Sequence, residues 1–311
     1  MIIITGAAGF IGSCMTAFLN NAAYTNLILV DDFSIENKRR NWEDKQYVQK
    51  FQRDIFLKKI KKLQEIQAII HLGARTNTTE KDQKLLNRLN LDYSKELWKY
   101  CTEKQIPFLY ASSAATYGNG SLGFDDKTHP EELFPLNLYG HSKNDFDEWA
   151  LEQGTTPPYW YGFKFFNVYG PNEYHKSRMA SVIFHCFKQI KETNAMKLFR
   201  SHNPDFKDGQ QMRDFIYVED VIKILYHFLK EKPKNGIYNL GTGKARTFQD
   251  LAIGVFNALG IETNISFIDT PIDIRDKYQY FTEADTKKLI SAIGHYDFTS
   301  LENGINNYVN H

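Results

Sequence analysis

The chain has 311 residues, 42% hydrophobic and 24% charged, ordinary values for one large globular domain or a main domain with a smaller lobe. Lys+Arg of 38 against Asp+Glu of 37 leaves a net charge of +1, which excludes the basic footprint of a nucleic-acid-binding protein. The three cysteines, Cys14, Cys101 and Cys186, are widely spaced and odd in number, so no disulfide framework or zinc site is indicated, and no apolar run approaches the roughly 18 residues of a membrane span. A cytoplasmic protein with no metal, nucleic-acid or membrane partner is the expectation.

Ile2 to Thr5 is a short β-branched run, followed at once by Gly6-Ala7-Ala8-Gly9-Phe10-Ile11-Gly12 and a helical pattern to about Asn20. That order predicts strand, tight glycine turn and helix. Glycines let the backbone approach a pyrophosphate, while free N–H groups and the positive end of the helix dipole face its charge. A second strand, Leu27 to Val30, ends in Asp31, placed where a dinucleotide fold carries its ribose-binding carboxylate. The spacing is G-x-x-G-x-x-G, and in this the sequence resembles the short-chain dehydrogenase/reductase superfamily.

Further alternation follows: a strand at 47–52, a basic helical run near 55–63, the strand Ala68-Ile69-Ile70-His71-Leu72, a long helix over about 81–103, and the strand Pro107-Phe108-Leu109-Tyr110. Such units predict an α/β fold, a Rossmann-type doubly wound parallel sheet with ligands at the carboxyl ends of its strands, where Gly73-Ala74 and Ser112-Ser113 fall. His71 reads either as a packed, hydrogen-bonded histidine or as a cofactor contact. Asp54, beside Arg53, is a candidate for the adenine edge.

Tyr139-Gly140-His141-Ser142-Lys143 then places a phenol and an ammonium four apart, one turn above each other on a helix. A nearby cation favours the phenolate and moves its ionisation toward a working pH. Ser113, at a strand end, could hydrogen-bond the substrate oxygen whose proton the tyrosine takes. The same spacing also occurs as plain surface decoration, so the pair alone leaves both readings open.

Beyond it, Trp160 to Pro171 reads as a buried strand stopped by Gly170-Pro171. Helices are expected around 179–192, 219–230 and 247–259, strands at 196–199, 215–218 and 237–240, and a polar loop at 202–211. Residues 1–170 are expected to be mainly the dinucleotide-binding domain. Residues 171–311 are expected to be mainly a smaller C-terminal substrate-binding lobe, with about 213–245 returning to the first domain.

Gly6/Gly9/Gly12, Ser113, Tyr139 and Lys143, with Arg213-Asp214-Phe215-Ile216-Tyr217-Val218 and Tyr238-Asn239-Leu240-Gly241-Thr242-Gly243, resemble the extended short-chain dehydrogenase/reductases that act on nucleotide sugars. Within that group Tyr110 to Gly118 and Phe166 to His185, including His175-Lys176-Ser177-Arg178-Met179-Ala180-Ser181, resemble the ADP-glyceromanno-heptose 6-epimerases. The resemblance implies a nucleotide-sugar substrate, ADP-heptose, whose C6 is oxidised and then reduced from the opposite face by a tightly bound nicotinamide. It implies Tyr139 and Lys176 as the two acid/base groups, Lys143 on the cofactor ribose and lowering the tyrosine pKa, and Ser113 beside the reacting oxygen. Cofactor contacts implied are Gly6, Gly9, Phe10, Ile11, Gly12, Asp31, Asp32, Lys38, Arg53, Leu72, Gly73, Ala74, Asn90, Tyr139 and Lys143. Substrate contacts implied are Ser113, Asn167, Val168, Arg178, His185, Phe199, Arg200, Arg213 and Tyr278, with Arg213 suited to a bidentate grip on the diphosphate.

Leu72 and Arg75 depart from other members, and the stretch 205–211 lengthens the loop before Arg213. Asp31 favours NAD, whereas Lys38, Arg39, Arg40 and Arg53 could neutralise a 2′-phosphate; the branch points to NADP. A homo-oligomer is expected. The rival readings are a UDP-hexose 4-epimerase and a non-catalytic dinucleotide sensor. A 4,6-dehydratase lacks support because Ser113 is followed by Ala114-Ala115 instead of an Asp-Glu pair.

Overall fold

The computed structural model describes residues 1–275 and 278–310. Its centre is a seven-stranded, all-parallel sheet. The strands are β1 (Ile2–Thr5), β2 (Leu27–Asp31), β3 (Gln49–Gln52), β4 (Ala68–His71), β5 (Phe108–Ser113), β6 (Trp160–Phe165) and a late strand, Gly236–Leu240. The order across the sheet is β3-β2-β1-β4-β5-β6 and then the late strand, the doubly wound arrangement with its reversal between β1 and β4. Helix α1 (Phe10–Asn21) leaves the turn at that reversal.

The strands form because their side chains feed two apolar layers with a period of two. Ile2, Ile4, Leu27 and Leu29 pack into one layer, while Ile3, Ile28 and Val30 pack into the other. On the second face lie α2 (Arg53–Lys59), α4 (Tyr93–Lys104) and α5 (Leu138–Leu151), the short α3 (Gln83–Leu86) preceding α4. The helix expected over 81–103 is not continuous. Between α3 and α4 the chain widens into a π-helical turn, Asn87–Asp92. The buried Asn90 explains the break: its amide accepts from the Arg75 N–H at 2.7 Å and donates to the Arg75 carbonyl and to the Ser142 hydroxyl.

The expected strand 160–171 is likewise two. β6 ends at Phe165, and β7 (Asn167–Tyr169) leaves for a second sheet with β9 (Met212–Tyr217) and β11 (Ala245–Thr247), while β8 (Met196–Phe199) pairs with β12 (Ile265–Ile268). The late strand, β10, pairs with β6 in the main sheet. Helices α6 (Val182–Thr193), α7 (Val218–Glu231) and α8 (Phe248–Leu259) pack into the first apolar layer. The short α9 (Ile272–Arg275), α10 (Lys287–Ile293) and α11 (Leu301–Val309) follow β12, elements not foreseen within the C-terminal segment. Among the described residues no helix is long and apolar enough to cross a membrane. Cys14, Cys101 and Cys186 are free thiols, and burial pushes the Cys14 and Cys186 thiols up to about 12.

Candidate active site

The carboxyl ends of β1, β2 and β4 open onto a cleft of about 680 Å³, walled by Gly6, Gly9 to Gly12, Asp31, Leu72 to Arg75 and the loop 175–179. The glycine turn is held by backbone against backbone. A Cβ on Gly6, whose φ is +70°, would stand 2.6 Å from the Gly73 nitrogen, and one on Gly12 would stand 2.1 Å from the Gly6 carbonyl oxygen. Gly9 precedes α1 without any side-chain cap, so the first N–H groups of the helix remain available at the cleft wall. That arrangement fits the pyrophosphate of a dinucleotide.

Asp31 is buried at the end of β2. Its Oδ2 accepts from the Ala8 N–H at 2.9 Å, and its Oδ1 accepts from the Asp32 N–H at 2.7 Å and from Lys38 Nζ at 2.9 Å. Asp32 holds its carboxyl below the usual range chiefly through the Ser34 hydroxyl, with Arg53 at 3.8 Å adding to it. Lys38 and Arg53 also line the cleft. Asp54 is exposed, pairs with Arg53 at 3.2 Å and is not among the lining residues. Arg75, at the departure in sequence, pairs with Glu80 at 2.8 Å.

Asn90, an expected cofactor contact, and His71, read as either packed or a cofactor contact, are both engaged within the protein. Asn90 does not line the cleft; it bolts the 75 turn to α5. His71 is the packed histidine: its ring nitrogens meet the Thr5 hydroxyl at 2.6 Å and the Ser94 hydroxyl at 2.9 Å, and burial pushes its pKa down to about 3.

Ser113, Tyr139 and Lys143 come together where β5 meets α5. Asn137 caps α5, accepting from the Gly140 N–H at 2.8 Å, which sets Tyr139 in the first turn. Tyr139 is half-buried on the side of the site where Ser113 ends β5. The expected lowering of the tyrosine pKa by Lys143 is not what these side chains do. Burial raises Tyr139, with the Ser113 bond working the other way, while the Lys143 ammonium donates to the Ala111 carbonyl at 2.7 Å. Burial also pushes Lys143 down to about 8, against the opposing charge of Asp147.

Asp147 was not foreseen, although it continues the helix face of Tyr139 and Lys143 by another four residues. It is fully buried, accepts from the Tyr110 and Ser112 hydroxyls at 3.0 and 2.6 Å, and pairs with the buried Lys164 at 3.1 Å. Lys164 donates to the Thr116 hydroxyl at 2.7 Å, and Thr116 donates to the Ser113 carbonyl at 2.9 Å. This chain of contacts fixes the end of β5 and the turn after it against α5.

Lys176 stands apart from those residues, in the wall of the dinucleotide cleft. It lies in a 3₁₀ segment, Tyr174–Met179, with its ammonium 5.3 Å from the centre of the Phe10 ring. Burial lowers its pKa, Glu173 opposing. Glu173 is itself fully buried and latches the loop shut by accepting from the Ser181 N–H and, at 2.6 Å, from the Ser181 hydroxyl at the start of α6. Arg178 lines the same cleft.

A third group gathers beside β9. The buried Arg213 guanidinium lies 5.4 Å from the ring centres of Tyr278 and Phe248, and donates to the Met212 carbonyl at 2.8 Å and to the Gln279 carbonyl. Among the described residues no carboxylate pairs with it. Phe199 meets Tyr278 edge to face at 6.4 Å. Arg200 is half-exposed and lies near Asp208 and Asp269, at 3.9 and 3.6 Å. Asn167 and Val168 sit in β7, Asn167 exposed, and His185 is on the exposed face of α6. Gln279, adjoining Tyr278, donates to the Gly118 carbonyl and so ties this group to the turn after Ser113.

The sequence pattern of the NAD dependent epimerase/dehydratase family matches residues 2–241. The ADP-L-glycero-D-manno-heptose-6-epimerase of Fusobacterium nucleatum is 45% identical over 99% of this chain and 97% of its own length. The protein of the same name from Nitratidesulfovibrio vulgaris is 46% identical with the same coverage. Among solved structures, the Helicobacter pylori ADP-L-glycero-D-manno-heptose-6-epimerase superposes with a TM-score of 0.85 at 27% identity, over 100% of this chain and 95% of that one. The chain is a member of the NAD dependent epimerase/dehydratase family, on the branch of the ADP-L-glycero-D-manno-heptose-6-epimerases.

Proposed function

We propose that the chain inverts C6 of ADP-D-glycero-D-manno-heptose to give ADP-L-glycero-D-manno-heptose, with Tyr139 and Lys176 handling the proton on the C6 oxygen. The observation that carries this reading is whole-length identity of 45% to a protein named for that activity, together with Lys176, the lysine that the resemblance implies, standing in the wall of the cleft. A UDP-hexose 4-epimerase would share the fold. A sensor would have no use for an intact Ser113, Tyr139 and Lys143.

A nicotinamide dinucleotide is the cofactor of the family, and the uncapped turn at Gly9 to Gly12 suits its pyrophosphate. When bound, it would supply the reversible hydride acceptance that oxidation and reduction at C6 require. Lys38 supports NADP, because its ammonium at 2.9 Å neutralises the Asp31 carboxylate that would otherwise repel a 2′-phosphate. Arg53 stands on the same wall.

Burial keeps Tyr139 protonated and makes the Lys176 amine easier to free of its proton. In the forward direction Lys176 takes the proton of the C6 hydroxyl, a 6-keto sugar forms, and Tyr139 gives a proton to the oxygen on the return; solvent restores both. Ser113 orients that oxygen from the Tyr139 side, and Lys143 holds the cofactor ribose. Arg213 and Tyr278 receive the diphosphate end, with Phe199, Arg200, Asn167, Val168, His185 and Arg178 around the sugar nucleotide. On this reading the segments after 171 that do not return to the main sheet form the substrate lobe, and the protein works as a cytoplasmic homo-oligomer.

Purified protein incubated with ADP-D-glycero-D-manno-heptose, followed at C6 by NMR beside UDP-glucose, should convert the heptose alone. Conversion of UDP-glucose with the heptose inert would overturn the reading. The mass of the dinucleotide released on denaturation should be that of NADP, and release of NAD would overturn that assignment.

A further inference from the structure

Asn41 lies in none of the motifs, yet it is 1% exposed and ends the turn that carries Lys38. Its side-chain amide donates to the Ala8 carbonyl in the glycine turn and to the Asn172 carbonyl, both at 3.1 Å. Its oxygen accepts from the Tyr174 hydroxyl at 2.5 Å. Next to it Arg40 stacks on the Tyr174 ring at 3.8 Å. One carboxamide therefore joins three segments distant in sequence: the turn facing the cofactor ribose, the turn facing the pyrophosphate and the loop that delivers Lys176. Lys176 follows Tyr174 by two residues and stands over Phe10, two residues beyond Ala8.

We propose that Asn41 is a positioning residue for Lys176, setting the loop 172–176 against the glycine turn so that the ammonium is held at the cofactor cleft. The geometry alone makes the case: both amide hydrogens and the carbonyl oxygen are engaged, and the contacts with Asn172 and Tyr174, with a longer one to His175 Nδ1 at 3.4 Å, reach the lysine-bearing loop. A displacement of that loop by about 1 Å is enough to cost one to two orders of magnitude in rate. No change in the Tyr139 half of the site is implied, because among the described residues no side-chain bond of Asn41 reaches α5 or β5.

The inference rests on the proposed acid/base role of Lys176, and the test separates the two. Asn41→Ala should lower kcat for heptose epimerisation about tenfold with KM within about twofold, and retain one dinucleotide per chain. In a Lys176→Met background the same substitution should change the residual rate by less than about twofold, because the group it positions is gone. Asn41→Asp keeps the bond from Tyr174 but loses both donations, and should resemble Asn41→Ala. Tyr174→Phe, which keeps the ring under Arg40, should lower kcat about threefold and serves if Asn41→Ala does not fold. An equal loss in both backgrounds, or a loss in KM and dinucleotide content instead of kcat, would overturn the positioning role. Full activity of Lys176→Met alone would instead remove the reading on which it rests.

Discussion

The two groups proposed to exchange protons with the substrate are mounted in opposite ways. Tyr139 rises from the capped first turn of α5, beside the central sheet, above a fully buried ion pair, Asp147 with Lys164. Lys176 hangs on a 3₁₀ loop whose backbone is kinked at Ser177, and is steadied by single side chains, Glu173 behind and Asn41 across. The first station draws rigidity from regular structure and the second from a few latches. The difference matters because two epimers must be served: one group can be fixed with the fold, while the other has to be brought to the opposite side of the pocket by a loop.

The largest effects break each station at its functional atom. Tyr139→Phe and Lys176→Met should each lower epimerisation by about 10² to 10⁴, with dinucleotide still recovered from the purified protein. NMR of the C6 configuration and the mass of the released dinucleotide check both. A Lys176→Met enzyme with full activity would leave the loop without a catalytic purpose.

Next comes the support beneath Tyr139. Asp147→Asn or Lys164→Met leaves one buried charge without its counter-ion, and each should cost roughly 3–5 kcal/mol in denaturant unfolding. The double variant removes both charges and should cost clearly less than the sum. A smaller loss is expected at the other station on removing Asn41, whose neutral hydrogen bonds are of the kind worth about 1 kcal/mol each. If the single variants unfold like the native protein, the ion pair is not what stiffens this side.

These two stations were unequally legible in the sequence. The alternation of strands and helices, the glycine turn and the face shared by Tyr139 and Lys143 follow from local periodicity and spacing, and the structure has them. Asp147 lies on that same helix face and could have been found by extending the register one more turn. Its partner could not, since Lys164 sits in an apolar strand where only the pairing of Ser112 with Lys164 across β5 and β6 explains a buried cation. The break of the 81–103 helix at Asn90 was equally hidden, because it depends on bonds to Arg75 and Ser142 far away in sequence. Lys176 itself was visible only through family likeness, and Asn41 not at all: a lone asparagine after Arg39-Arg40 carries no signal until three segments meet at it. Local chemistry is readable along the chain; a latch between loops is not.

Two histidines, the buried His71 on β4 and the half-buried His175 on the Lys176 loop, offer a smaller comparison through their titration. Burial pushes His71 down to about 3 and His175 to about 4, from an ordinary value of 6.5. Below pH 6.5 the unfolded chain takes up a proton that the folded protein refuses, so stability is intact above that pH and falls as pH drops through the window down to each folded value. For His71 the slope is about 1.4 kcal/mol per pH unit across that window. His175, less enclosed, should contribute less and stop contributing near pH 4. Unfolding midpoints measured from pH 7 to 4 should therefore fall, and His175→Asn should flatten the curve only slightly. A flat curve for the native protein would contradict the neutral, buried state of His71.

The smallest expected effect concerns the kink beside Lys176. Ser177 holds φ +47° and ψ −127°, a conformation costly for a residue with a Cβ and free for glycine. The strain is about 1–3 kcal/mol, and glycine would return roughly 0.5–1 of it through the greater freedom of the unfolded chain. Ser177→Gly should thus stabilise the protein by about 1 kcal/mol, read as a higher unfolding midpoint. Relaxing the same bond lets the loop sample other backbone states, so kcat should fall two- to threefold while Tyr139-side measurements, such as the cost of Asp147→Asn, stay unchanged. If stability rises and kcat does not move, the latches from Glu173 and Asn41 suffice to place Lys176, and the strained serine adds nothing to its delivery.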